Sequence, residues 1–195
     1  RTTFHNLDQF TIRLGHLPES FDDLNSFGNG TYRVEEQSSL ELSYNSDGSE
    51  AVSYSIGLGL QEEQLGGDTF TSRLSLSWRP DDQFALNIRV RHSDRKGWLL
   101  HQEGQNMTAF DAEQWTPSIS AEYFINARQQ LKFSLQWVGI KARGKNFYKI
   151  PDNPGELIEV AKSSGPADNF SLSQMALQFR YRWEIAPLSD VFIVY

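Results

Sequence analysis

Apolar and polar residues alternate through most of this chain. Phe70, Leu74, Leu76 and Trp78 share one parity, while Thr71, Arg73, Ser75 and Ser77 share the other. Successive side chains of a β-strand point to opposite faces, so this segment predicts a ribbon with one greasy and one polar side. The same alternation predicts nine strands. They run from about Gln9 to Leu14, Ser38 to Tyr44, Ala51 to Leu60, Thr69 to Trp78, Phe84 to His92, Trp115 to Tyr123, Leu131 to Ile140, Phe170 to Glu184, and from Val191 onward. No convincing helix interrupts them, although Gly155 to Lys162 suits a short helical turn.

The connections alternate as well. Asn45-Ser46-Asp47-Gly48, Arg79-Pro80-Asp81-Asp82, Asn126-Ala127-Arg128-Gln129 and Ala186-Pro187-Leu188-Ser189-Asp190 are short and rich in turn formers. Longer connections separate them: one carrying Pro18, Asp22, Asp23, Gly28 and Gly30, one at Gly66-Gly67-Asp68, one from Ser93 to about Gln114, and one from about Lys141 to Asp168. Short turns at one end and long loops at the other mark an outer-membrane barrel. The expected fold is therefore all-β, an antiparallel up-and-down transmembrane β-barrel, seen in part with about nine or more strands. Residues 1–195 are expected to be part of one such domain, truncated at both ends. Bacterial barrels usually have an even strand count, and the segment after Asp190 falls short of the ~9–11 residues of a spanning strand.

That topology sorts the aromatics. Tyr44, Trp78, Tyr123 and Trp183 fall at the short-turn end, and Trp115, Trp137 and Phe70 nearer the other. Two aromatic girdles are the expected outcome at two membrane interfaces. The competing architecture is a soluble β-sandwich, in which these rings would form the core.

Composition narrows the chemistry. Aromatics make up 13% of a chain with net charge −7 and no cysteine. The missing thiols exclude a disulfide framework and thiolate metal sites. The charge argues against nucleic acid as a partner. No apolar run approaches the ~20 residues of a membrane helix, a length that a barrel does not need. His5, His16, His92 and His101 are scattered without zinc-type spacing. Gly57-Leu58-Gly59 lies inside a strand, and no Gly-x-Ser-x-Gly elbow exists. The expectation is no enzyme activity, no cofactor and no metal.

The polar face is the candidate site. It carries Arg13, Arg73, Arg89, Arg91, Lys132, Arg180 and Arg182, opposed by Glu41 and Glu122. A basic lumen focuses field and favours anions, such as acidic oligosaccharides or carboxylates. Alternatively these cations pair with a plug, a loop or acidic residues on other strands. Acidic loop residues, including Asp22, Asp23, Glu62, Glu63, Asp152 and Glu156, suit a solvated surface, and paired carboxylates can also bind a divalent cation or do glycosidase-type acid/base work. Trp98, Phe147 and Tyr148 beside polar loop residues suit sugar stacking, loop packing or an interface to a partner protein.

The C-terminal stretch Asn169 to Tyr195 adds a resemblance. Arg180-Tyr181-Arg182, the Pro187-Leu188-Ser189-Asp190 turn and Phe192-Ile193-Val194-Tyr195 resemble the barrel region of bacterial outer-membrane proteins that pair a carbohydrate-binding-like N-terminal domain with a membrane barrel of unknown function. The Ser43-Tyr44-Asn45-Ser46-Asp47 turn and the Asp22-Asp23…Gly28-Asn29-Gly30 loop are similar to that family too. The resemblance implies a location in the outer membrane of a diderm bacterium and a connection with glycans. The expected role is transport or binding at the cell surface. The alternatives are a non-conducting anchor or subunit of an outer-membrane complex, and a soluble carbohydrate-binding module. Expected partners are outer-membrane lipid, an oligosaccharide or anionic solute, and proteins of such a complex.

Overall fold

The computed structural model of the protein describes residues 1–4, 6–161 and 169–195. His5 therefore lies outside the described residues, as do Gly165 and Pro166 of the long C-terminal connection. The chain is all-β. Its strands are β1 (Thr2–Thr3), β2 (Gln9–Leu17), β3 (Ser20–Asp22), β4 (Tyr32–Val34), β5 (Gln37–Asn45), β6 (Val52–Glu62), β7 (Asp68–Trp78), β8 (Phe84–His101), β9 (Asn106–Asn126), β10 (Gln129–Lys149), β11 (Ile158–Val160), β12 (Phe170–Ala186) and β13 (Ser189–Val194). One antiparallel sheet takes the order β1-β2-β5-β6-β7-β8-β9-β10-β12-β13, with β11 added beside β10. Strands β3 and β4 form a separate hairpin. All nine predicted strands are present as β2, β5–β10, β12 and β13.

Each long strand pairs with the next in sequence, so the sheet is a meander. Its register keeps the two faces apart. Leu42 pairs with Leu58, Leu74 with Val90, Ile88 with Ile119, Ile119 with Leu135, and Leu135 with Leu177. A slip of one residue anywhere would move a greasy side chain to the polar side. Among the described residues no ladder joins β1 to β13, so the antiparallel sheet does not close into a barrel and ends in two edges.

Nothing among the described residues packs over the apolar face. Leu14 is 81% exposed and Met175 68%, and Ile56, Leu58, Leu74, Leu177 and Ile193 are exposed as well. The face also has ends. Phe70 and Trp78 stand eight positions apart on β7, and Trp115 and Tyr123 eight apart on β9. At ~3.4 Å per residue, eight positions span ~27 Å along a strand. Beyond Trp115 the same parity turns charged, with Glu113 and Asp111. On β10 the residues beyond Trp137 on that parity are Gly139, Lys141, Arg143 and Lys145.

Two expectations are overturned. The stretch from Ser93 to Gln114 is a hairpin rather than a polar loop. Strands β8 and β9 stay paired to His101 and Met107, and β10 continues to Lys149. These strands have 18, 21 and 21 residues, well above the ~9–11 that cross a membrane. The alternation is lost because a bulge between Arg95 and Trp98 shifts the register, another falls between Gly144 and Asn146, and charges replace apolar residues on one face. Gly155 to Lys162 also forms no helical turn over its described residues. Ile158–Val160 pair with Phe147–Lys149, and Gly155 bridges Tyr32. Edge pairing satisfies this backbone where an isolated helical turn would leave most of its polar groups open.

The buried residues lie where the long strands overshoot. Tyr32, Met107 and Ile150 form one cluster, flanked by Val34, Leu99, Tyr148 and Leu157. Phe110, Ala112 and Ala142 form a second, flanked by Trp98 and Leu100. The β3–β4 hairpin thus docks as a cap on the β8–β10 extension. The Arg33 amide donates to the Gly155 carbonyl at 2.7 Å, and the Ile150 amide to the Gln105 carbonyl at 2.8 Å. Gly30, at φ +129°, sits where a Cβ would meet Ile150 Cγ2 at 2.8 Å. Ser26 is fully buried and donates to the carbonyl of Gly30 at 2.6 Å. Beside the cap, the Gln64–Gly66 turn lies against the β8 bulge, where a Cβ on Gly97 would fall 3.7 Å from the Gln64 carbonyl oxygen. A Cβ on Gly67 would fall 1.9 Å from the Lys96 carbonyl oxygen.

Candidate functional site

All seven predicted basic residues lie on the polar face, in two groups set by strand order. Arg13, Arg73, Arg89 and Arg91 come from β2, β7 and β8. Lys132, Arg180 and Arg182 come from β10 and β12. In the first group Arg73 and Arg91 are direct cross-strand partners, and Arg89 stands opposite Ser75. Adjacent strands lie ≈ 4.7–4.9 Å apart, so two guanidinium stems rise side by side.

Glu41 neutralises part of this charge. Arg73 Nη1 donates to Glu41 Oε1 at 2.6 Å, and Arg13 Nη1 lies 3.4 Å from Oε2. Arg73 reaches Glu41 by crossing β6 where the polar face offers Gly57 and Gly59, with Ser53 and Ser55 to one side and Gln61 at the far end. Arg73 Nη1 lies 3.9 Å from where a Cβ on Gly57 would stand. The glycines supply room for a long side chain to lie flat over the strand. No carboxylate among the described residues comes within 4.0 Å of Arg89 or Arg91.

The second group is held differently. Arg182 makes a two-pronged pair with Asp190, Nε to Oδ1 at 3.0 Å and Nη2 to Oδ2 at 3.2 Å. Lys132 faces Glu122 on one side and Arg180 on the other. The Gln130 amide donates to Glu122. No ion pair within 4.0 Å joins Lys132 or Arg180 to a described carboxylate.

Hydroxyls surround the first group. A depression of about 170 Å³ on the polar face is lined by Ser53, Ser55, Ser75, Ser77, Asn45, Asn87 and Arg89, among others. Above it, toward the long connections, a second and larger cavity of about 600 Å³ is acidic, with Glu19, Glu35, Glu36, Glu62 and Glu63 in its wall. No cluster of three metal-ligating side chains occurs among the described residues.

The predicted girdle residues occupy both ends of the apolar face. Tyr44 donates to Asp8 and stacks against Tyr54 at 5.8 Å. Trp78 meets Phe84 edge-on at 5.5 Å, and Tyr123 is the cross-strand partner of both Phe84 and Leu131. Trp183 pairs with Gln129 and Val191. At the other end Trp115 stacks on His92 at 4.3 Å and donates to Glu113 at 3.0 Å. The Trp137 ring lies over Gly139 while Nε1 donates to Ser173 Oγ at 3.0 Å. Trp98 and Tyr148 pack internally: Arg95 sits over the Trp98 ring at 4.6 Å, and Tyr148 flanks the Tyr32 cluster.

The residues that sequence reasoning missed belong to the cap. Tyr32 is 1% exposed, and burial, then the Asp22 carboxylate, push its hydroxyl up to about 12. Arg33 binds Glu156 at 2.7 Å and Glu19 at 3.5 Å. A lone Tyr-Arg-Val between loops carries no periodic signal.

The sheet defines a class: an all-β, antiparallel meander with a basic polar face and an uncovered apolar face. The chain belongs to the family described as a domain of unknown function (DUF5916), whose model matches residues 1–195. No curated protein and no solved structure matches the chain.

Proposed function

We propose that the chain forms part of an outer-membrane β-barrel of a diderm bacterium, with its apolar face against lipid and its polar face around water. The observation that carries this reading is the uncovered apolar face. It continues across nine strands, is bordered by aromatics eight positions apart on β7 and β9, and gives way to charge beyond Phe70 and Trp115. Monomeric soluble proteins rarely leave so large a contiguous apolar surface in water. A sandwich needs a second sheet on that face. Closure into a barrel removes the two open edges, because strands span a bilayer only when every backbone group is paired.

The polar face then lines a lumen rich in serine and arginine, suited to binding or passing anionic, hydroxyl-bearing solutes. The glycan connection rests on the C-terminal resemblance. A second reading, a non-conducting anchor, draws on the cap, since β3–β4 packed on the β8–β10 extension offers a surface above the bilayer.

The test is expression from the complete gene in a diderm host. The expected result is a protein in the outer-membrane fraction that migrates differently on gels before and after boiling. Extraction into buffer without detergent would remove the barrel reading. Planar-bilayer recording separates the two membrane roles: steady currents support a conduit, and their absence in a heat-modifiable protein supports the anchor.

A further inference from the structure

We infer that Arg89 and Arg91, with Arg73 beside them, form a binding site for an oxyanion carried by a polyol, on the serine-lined part of the polar face. The inference deepens the reading above and rests on it for the water in front of that face.

Charge comes first. Arg73 and Arg91 are direct neighbours across β7 and β8, and Arg89 is two residues along the same face. Like charges placed opposite one another on a sheet are unfavourable. One carboxylate, Glu41, answers both Arg13 and Arg73, which leaves Arg89 and Arg91 without a partner within 4.0 Å among the described residues. The chain as a whole is net negative, and Glu41 acts on Arg91 only from beyond ion-pair distance, so this concentration of guanidinium is local.

Shape and chemistry agree with the charge. The depression of about 170 Å³ beside Arg89 is walled by Ser53, Ser55, Ser75, Ser77 and Asn87. Guanidinium groups grip phosphate and carboxylate through paired hydrogen bonds. Hydroxyls and amides serve as both donors and acceptors, which is what the remaining hydroxyls of a sugar require. Arg73 is pinned back over Gly57 by Glu41, toward β5 and away from β8. Lys132 and Arg180 differ in having a carboxylate directly opposite: Glu122 is the cross-strand partner of Lys132 and accepts from the Gln130 amide.

The full-length protein, purified in detergent, is titrated calorimetrically with inorganic phosphate, glucuronate and glucose. Three forms are compared: the unaltered protein, Arg89→Gln/Arg91→Gln, and Lys132→Gln/Arg180→Gln. Saturable binding of phosphate or glucuronate is expected, weakened about tenfold or more in the first variant and little changed in the second. Phosphate without glucuronate assigns a phosphorylated ligand; glucuronate without phosphate assigns a carboxylated sugar. Glucose binding as tight as glucuronate overturns the oxyanion assignment. Equal losses in both variants overturn the local site in favour of a diffuse field. Absence of saturable binding in a heat-modifiable protein overturns the site and leaves the barrel standing. Arginine-dependent phosphate binding by a detergent-free, non-modifiable protein keeps the site and removes the barrel. Gel mobility of each variant checks that it has folded.

Discussion

Tyr32 is the residue whose ionisation reports the cap. Its side chain is fully buried between Met107 and Ile150, and its hydroxyl is raised from 10.0 to about 12 by burial and by Asp22. A group whose folded value is raised contributes its stability fully below the unfolded value, and loses it as pH rises toward the folded one. The cap is therefore expected to hold through pH 10 and to loosen as pH approaches 12. The difference between the ultraviolet phenolate titrations of the unaltered protein and Tyr32→Phe should show one late tyrosine. A missing tyrosine that titrates near 10 would place the ring in water. Tyr32→Ala, which empties a packed site, is expected to cost about 3 kcal/mol of cap stability. None of this was legible in the sequence, because the partners of Tyr32 lie far along the chain. The polar-face arginines were legible one by one, since parity alone places them. Their pairing was not: Arg73 meets Glu41 only because β5, β6 and β7 align in one register with Gly57 between them.

At the scale of elements, hydrophobic alternation located every strand that faces a continuous apolar surface and truncated those that run past it. Strands β8 and β9 leave the greasy band near His92 and Trp115, and there the face turns to Asp94, Glu113 and Asp111. Backbone pairing continues regardless, because the ladder needs hydrogen bonds and not grease. The cap depends on this continued ladder and is expected to detach separately from the sheet. Gly30→Val tests that. The position needs φ +129°, and any Cβ there runs into Ile150. Limited proteolysis of this variant should cut within residues 18–36 while heat-modifiable mobility remains. If the cap stays protected, Gly30 is not what seats it. If mobility is lost along with the cap, the two are one cooperative unit.

For the whole molecule, the question is which solvent the apolar face meets, and depth decides it. In a bilayer, a cation at mid-band costs about 2–4 kcal/mol and one near an interface about 0–1 kcal/mol. Ile119 lies midway between Trp115 and Tyr123, in a row with Ile88 and Leu135. Ser120, its neighbour, points to the polar side and pairs with Asn87 and Ser134. The expected order of damage is Ile119→Lys first, Tyr123→Lys well behind it, and Ser120→Lys least. Urea titration of the protein refolded into lipid vesicles reads this order directly. The contrast of face and depth together is what lipid imposes. A second protein layer would penalise Ile119→Lys as well, but the protein would then fold in buffer without vesicles. Ser120→Lys as damaging as Ile119→Lys would mean that neither face is lipid-facing, and the membrane assignment would fail on that single comparison.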